Sequence, residues 1–142
     1  MACVARDETD KLILAAGFLG DHGTDIEAEM QGMLEAFRLY QLHLSDKALW
    51  VERDALEVIE GLHGISCALE PSVLLVDAWR MLRGMDVYKI SHSYREGNQC
   101  AHWITRRIKK KGADILLFAY FPSELMFLAQ TDAQDTCYRR EW

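Results

Sequence analysis

Two carboxylates in this sequence are placed where they could bind a metal ion. Glu29 lies near the start of a long predicted helix, and Asp54 lies at the end of the strand predicted next. An acid at the inner start of a helix and another at the end of the following strand can meet at one edge of a sheet. Because hard divalent cations prefer carboxylate oxygens, this pair predicts a candidate magnesium site.

The helix that must position Glu29 is predicted over residues 26–44. Its apolar residues alternate steps of four and three, which is the spacing of one helical face; they are Ile26, Met30, Met33, Phe37, Tyr40 and Leu44. Glu29 falls within this stripe. Thr24 is a predicted N-cap with Glu27 three residues later, which is a capping box. The strand that ends in Asp54 is predicted over residues 47–54.

The remaining pattern predicts an α/β domain with a mixed sheet. Strands over residues 3–7 and 12–19 form a hairpin, in which Gly17 indicates a bulge or close packing. The later elements are helices 55–62 and 72–82, strand 87–94, helix 99–111 capped by Asn98 and closed by Gly112, an apolar tail from 113, and a short helix over 123–130. A hairpin followed by strands with helical crossovers is typical of this class.

The composition restricts the function. The 142 residues have a net charge of −6 and a pI near 5.3, which is unpromising for a strong nucleic-acid binder. The four cysteines are scattered without a CxxC pair, which disfavours a zinc site and favours reduced thiols. No signal peptide or apolar run of membrane-spanning length is found, so we expect a cytoplasmic or nuclear protein without membrane contact.

One basic segment stands out from this acidic background. Residues 105–111 contain five Lys or Arg residues in seven, among them Arg106, Arg107, Lys109 and Lys110. One interpretation is contact with nucleic-acid phosphates, or a nuclear localisation patch. The other is a solvated helix end whose cations favour the C-terminal dipole. We interpret Trp50, Trp79 and Trp103 as core or half-buried anchors rather than base-stacking platforms.

Several motifs together resemble a known family. They are residues 4–7 (VARD), Ala28 with Glu29, residues 50–57 (WVERDALE), residues 92–101 (HSYREGNQCA), and Pro122, Leu125, Leu128 and Asp132 near the end. In this order and spacing they resemble the ribonuclease H-like domain found in many plant proteins and related to retroelement reverse transcriptases. The resemblance covers nearly the whole chain. It implies a domain over residues 1–132, followed by a frayed tail over 133–142.

The resemblance implies a three-layer fold around a five-stranded mixed sheet and hydrolysis of the RNA strand of an RNA/DNA hybrid. Four acids in such enzymes hold two Mg²⁺ or Mn²⁺ ions, which activate water and stabilise the leaving oxygen. The helix acid matches Glu29, and the strand-end acid matches Asp54. The first acid belongs to a strand before Val4 that this chain lacks. The fourth position is His102.

These departures predict weak or lost cleavage. Histidine nitrogen is a poor ligand for Mg²⁺, although Mn²⁺ or zinc tolerates it. The missing strand is the middle one of the family's sheet, so the hairpin would be poorly joined to the other strands. A truncated gene model, a segment supplied by a partner, and a rearranged remnant all explain its absence. The alternative function is a degenerate, non-catalytic nucleic-acid-binding or interaction module.

Each candidate residue also has a purely structural interpretation. Glu29 could pair with a basic side chain and serve only the helix N-terminus. Asp54 could cap the helix that follows it, which is compatible with metal binding. His102 could be an exposed or partnered histidine near a helix start. Glu52 lies two residues before Asp54 and could compensate for a missing ligand, although a surface pair is the simpler role.

Overall fold

The computed structural model describes the backbone of residues 1–9, 11–20, 23–53, 56–64, 73–85, 88–92, 99–117 and 120–137, and the side chains of all these except 53 and 133–137. Ten elements follow one another in the order β1 (Ala2–Arg6), β2 (Leu12–Gly17), α1 (Asp25–His43), β3 (Leu49–Arg53), α2 (Leu56–His63), α3 (Val73–Arg83), β4 (Tyr88–His92), α4 (Gln99–Lys111), β5 (Ile115–Leu117) and α5 (Ser123–Cys137). They form two compact units, residues 20–93 and residues 1–19 with 94–142.

The unit formed by the two ends of the chain contains an antiparallel sheet in the order β1-β2-β5. The helices α4 and α5 pack together, and α4 also contacts β1 and β2. One buried apolar cluster of this unit comes from β2 and both helices, and consists of Leu12, Ala15, Cys100, Ile104, Ile108, Leu125 and Ala129. This apolar cluster fixes which face of α4 points inward.

Gly17 shows how closely α4 approaches β2. A Cβ atom on Gly17 would lie 2.6 Å from Cγ2 of Ile104 and 2.7 Å from Cγ2 of Ile108. These distances are too short for carbon atoms, so only glycine allows the helix to pack at this depth. The close packing predicted for Gly17 is confirmed.

The central unit pairs β3 and β4 in parallel, with Leu49 opposite Tyr88 and Arg53 opposite His92. The helices α2 and α3 lie in the connection between the two strands, as a parallel pair requires. α1 packs against α2 and α3. The core of this unit includes Met30, Met33 and Phe37 from the stripe predicted on α1.

The α/β class, with both antiparallel and parallel strand pairs, is confirmed. The capping box of α1 is also confirmed, because Glu27 N–H donates to Thr24 Oγ1 and Thr24 N–H donates to the Glu27 carboxylate. The predicted α4 matches its observed bounds, and Gly112 follows it with a φ of 66°. The predicted cap Asn98 lies outside the described residues.

Two features of the carboxyl-terminal region differ from the prediction. The apolar tail contains a strand, β5, which pairs with β2 through residues 115–117. The last helix was predicted to end at Gln130 but continues to Cys137. A three-residue strand is too short to show a period, so only its pairing with β2 reveals it.

The strand pairings also define the edges of the two sheets. Within the described ranges, β1 and β3 each pair with one strand only. β1 is therefore an edge strand of the antiparallel sheet, and β3 belongs to a two-stranded sheet. Among the described helices, none is long and apolar enough to cross a membrane.

Candidate nucleic-acid interface and the acidic positions

Glu29 lies in the second turn of α1, beside the buried Met30. Its side chain is half-buried, so the carboxylate lies at the margin of the apolar stripe rather than within the core. The capping box is made by Thr24 and Glu27, so the helix N-terminus does not depend on Glu29 for its cap. Glu29 is therefore not a member of the capping box.

The other acidic position is not described. β3 ends at Arg53, and Asp54, predicted as the second metal-binding acid, lies outside the described residues. Glu52 lies on β3 and is half-buried. The predicted pairing of Glu29 with Asp54 therefore stays a prediction.

His102 is an exposed residue in the first turn of α4. It belongs to the unit formed by the chain ends, whereas Glu29 belongs to the central unit. The exposed imidazole agrees with the structural interpretation given above for this residue.

The described residues contain no cluster of candidate metal ligands. Mg²⁺ requires near-octahedral oxygen coordination and usually takes one or two carboxylates together with water or substrate oxygens. Among these residues, no group of three or more His, Cys, Asp or Glu side chains could hold a metal ion.

One face of α4 is buried and apolar, and the opposite face is exposed and polar. Cys100, Ile104 and Ile108 are buried, at a spacing of four residues. His102, Arg106 and Lys109 are exposed and follow the spacing i, i+4, i+7 on the opposite side of the helix. We refer to these three residues as the outward face of α4.

A groove runs beside this outward face. It has a volume of about 410 Å³ and is lined by Gln99, His102, Thr105, Arg106, Lys109 and Leu128. Leu128 comes from α5, which packs against α4. None of these six described residues carries a carboxylate, so the charged side chains among them are cationic.

The other basic residues of α4 lie elsewhere. The guanidinium of Arg107 lies 5.3 Å from the centroid of the Trp103 ring, in a cation–π contact. Lys110 and Lys111 are exposed but do not line the groove. The basic run therefore divides into Arg106 and Lys109, which face the groove, and three cations outside it.

Trp50, Trp79 and Trp103 are half-buried, as predicted. Trp50 Nε1 donates to Ser91 Oγ at 2.7 Å, and the Lys89 ammonium lies 4.5 Å from its ring centroid. Trp79 Nε1 donates to the carbonyl oxygen of Leu62 at 3.1 Å. These bonds connect neighbouring elements and support the anchoring role.

Sequence reasoning missed the groove itself. The basic run was recognised by composition, and the helical step from His102 to Arg106 and Lys109 could have separated the two faces. No sequence pattern around Thr105 or Gln99 indicates that these residues line a groove. Leu128 could not be found from sequence, because α5 brings it to the groove from beyond β5.

The fold and the site define an α/β domain with a ribonuclease H-like order of elements, in which one exposed helix is strongly basic. The model of the family described as Reverse transcriptase-like matches residues 1–108, and the chain belongs to this family. The match includes Glu29, Asp54, His102 and Arg106, and ends before Lys109. No curated protein and no solved structure matches the chain.

Proposed function

We propose that this ribonuclease H-like domain binds nucleic acid, with an RNA/DNA hybrid as the ligand, and cleaves it weakly or not at all. The observation that carries the proposal is the location of His102. The family resemblance assigns an acidic metal ligand to this position, and here an exposed histidine shares one helix face with Arg106 and Lys109. This face is suited to bind phosphate rather than a metal ion.

The physical reason is the sign of the local charge. A carboxylate at position 102 would attract a divalent cation and repel phosphate. Histidine removes that negative charge and offers N–H donors, and the neighbouring Arg and Lys side chains are cationic. The replacement therefore favours polyanion binding over the family's metal chemistry. Binding of nucleic acid also agrees with the expected location in the cytoplasm or nucleus.

A second candidate function is metal-dependent hydrolysis of the RNA strand, with Mg²⁺ or Mn²⁺. Glu29 favours it, because this half-buried acid occupies the family's helix position and is not used in the capping box. Hydrolysis would require Asp54 and at least one further oxygen ligand beside Glu29. This second candidate function would be inherited from a retroelement ribonuclease H.

One experiment separates these functions. A fluorescently labelled RNA/DNA hybrid is mixed with the whole chain in EDTA, Mg²⁺ and Mn²⁺, and both anisotropy and strand length are measured. Binding in EDTA with little or no cleavage in either metal supports the proposal. Efficient cleavage that disappears in Glu29→Gln would establish the second candidate instead. Absence of binding by a folded sample would refute the proposal.

A further inference from the structure

We infer that the groove beside the outward face of α4 is the site that holds the nucleic acid, and that it binds consecutive phosphates of a single strand. This inference rests on the proposed function and names the surface responsible for it. The residues that contact phosphate are His102, Arg106 and Lys109, with Gln99 and Thr105 beside them and Leu128 as the apolar side of the groove.

The spacing of the three basic side chains matches a phosphate backbone. From His102 to Lys109 is seven residues, or about 10 Å along a helix with a rise of 1.5 Å per residue. A strand of B-DNA advances about 3.4 Å along its axis per phosphate. Because a strand also winds around its axis, its neighbouring phosphates lie farther apart in space than this axial step. The outward face therefore spans at most about three phosphate steps, so its three side chains can contact two or three consecutive phosphates.

The donors differ in a way that suits this ligand. Arg106 can bind one phosphate through two parallel N–H groups, and Lys109 can act as a point charge on another. His102 contributes at least one N–H group. Leu128 provides an apolar contact that a sugar can cover. A free anion such as phosphate would use only one of these sites, whereas a strand uses all of them.

Charge segregation supports a polyanion as the ligand. Five of the 16 Lys and Arg residues lie within residues 105–111, although the chain carries a net charge of −6. Among the described residues, none that lines the groove carries a carboxylate. The Asp132 carboxylate, on the neighbouring helix, is buried and accepts hydrogen bonds from backbone N–H groups of Gln99 and Cys100. Among the described residues that line the groove, the charged side chains are therefore cationic.

The chain offers a matched control on the same helix. Arg106→Gln with Lys109→Gln removes two positive charges from the groove. Lys110→Gln with Lys111→Gln removes two positive charges from α4 outside the groove. Because both double variants remove two positive charges from the same helix, a difference in affinity between them does not come from total charge. All four side chains are exposed, so both double variants should fold, which far-UV circular dichroism checks.

The test uses the whole chain and a labelled 20-nucleotide RNA, alone and annealed to DNA, in EDTA at several salt concentrations. We expect the groove variant to bind both ligands about tenfold more weakly than wild type. Its salt dependence, d log K/d log[salt], should also be less steep, by about 1.4 for the RNA alone and by about 1.8 for the duplex, because two phosphate contacts are lost. The control variant should stay within about threefold of wild type.

Three other results of this binding test would overturn part or all of the inference. Equal losses in the two double variants would overturn the groove while leaving nucleic-acid binding in place. Absence of binding by wild type would overturn both the groove and the proposed function. Competition by poly-glutamate as strong as that by RNA, at equal charge, would show a general polyanion site and would refute a nucleic-acid strand as its specific ligand.

Discussion

The carboxylate of Asp132 closes the amino end of α4 by accepting the backbone N–H of Cys100 at 2.9 Å, across 32 residues of sequence. Its other oxygen accepts the N–H of Gln99, also at 2.9 Å. The first N–H groups of a helix have no partner within the helix, so α5 supplies what a local cap usually provides. Among the described residues, Asp132 is the charged residue whose side chain is buried. Its two hydrogen bonds hold the start of α4, the helix that lines the groove.

Replacement of Asp132 should therefore destabilise the fold. Asp132→Ala leaves two N–H groups in a buried environment without acceptors, and we expect a loss of about 2–4 kcal/mol in the free energy of unfolding. Asp132→Asn retains one acceptor oxygen and should cost less. Urea denaturation measures both. Asp77→Asn is a suitable control, because Asp77 makes an exposed ion pair with Arg80 and should cost less than about 0.5 kcal/mol.

The contact between Gly17 and α4 makes a second prediction. Gly17→Ala places a Cβ within 3 Å of Ile104 and Ile108, so the helix must move away from β2. We expect a loss of about 1–3 kcal/mol in unfolding free energy. Gly84→Ala is the control, since its Cβ would meet only the Met81 carbonyl oxygen at 3.5 Å. Equal stability of the two variants would show that α4 adjusts without cost.

The Cys100 thiol should make stability depend on alkaline pH. Burial raises the pKa of the Cys100 thiol to about 12, with the Asp132 carboxylate adding to the effect. Between pH 9 and 12 the unfolded chain releases this proton and the folded chain keeps it. Stability is therefore complete below about pH 9 and falls as pH rises, by at most about 1.4 kcal/mol per pH unit from this group.

Comparison with Cys100→Ala isolates this contribution from other groups that titrate at high pH. The variant loses packing at every pH, but its unfolding free energy should fall less steeply than that of wild type above pH 9. Parallel slopes for the two proteins would rule out Cys100 as the source. The same burial predicts that iodoacetamide modifies Cys3, which is partly exposed, faster than Cys100 in the folded chain.

His102 makes the prediction that separates the groove from the family's metal site. His102→Asp adds a negative charge to the outward face, so we expect RNA binding in EDTA to weaken by about threefold or more. His102→Asn removes the imidazole without adding charge and should weaken binding less. An increase in RNA affinity for His102→Asp in EDTA would contradict phosphate binding at this position. Cleavage gained by His102→Asp in Mn²⁺ would favour the ancestral metal role.

Loss of the capping box of α1 should lower the unfolding free energy less than loss of Asp132. Thr24→Ala removes the hydroxyl that accepts the Glu27 N–H at 3.2 Å. We expect a loss of about 1 kcal/mol in unfolding free energy. Thr24→Ser keeps the acceptor and should stay close to wild type in the same urea titration. Equal losses in the two variants would point to the methyl group instead.

The elements that could be predicted from the sequence are those with signals in neighbouring residues. The capping box of Thr24 and Glu27, the stripe on α1 and the bounds of α4 all depend on spacings within a helix, because one helical turn brings residues three and four apart together. The candidate acids Glu29 and Asp54 were likewise identified from their positions within a predicted helix and a predicted strand. Their meeting at one sheet edge stays a prediction, because Asp54 lies outside the described residues.

Contacts between distant segments decided the features that local sequence patterns did not predict. The strand β5 has three residues, and only pairing with β2 identifies it. Asp132 caps α4 from α5, Leu128 completes the groove from the same helix, and Gly17 sets the depth at which α4 packs. The sequence by itself determined the helices, the α/β class and the presence of a basic segment. Only the tertiary structure decided which basic side chains share a groove, because burial of Cys100, Ile104 and Ile108 fixes the rotation of α4 and so turns His102, Arg106 and Lys109 outward.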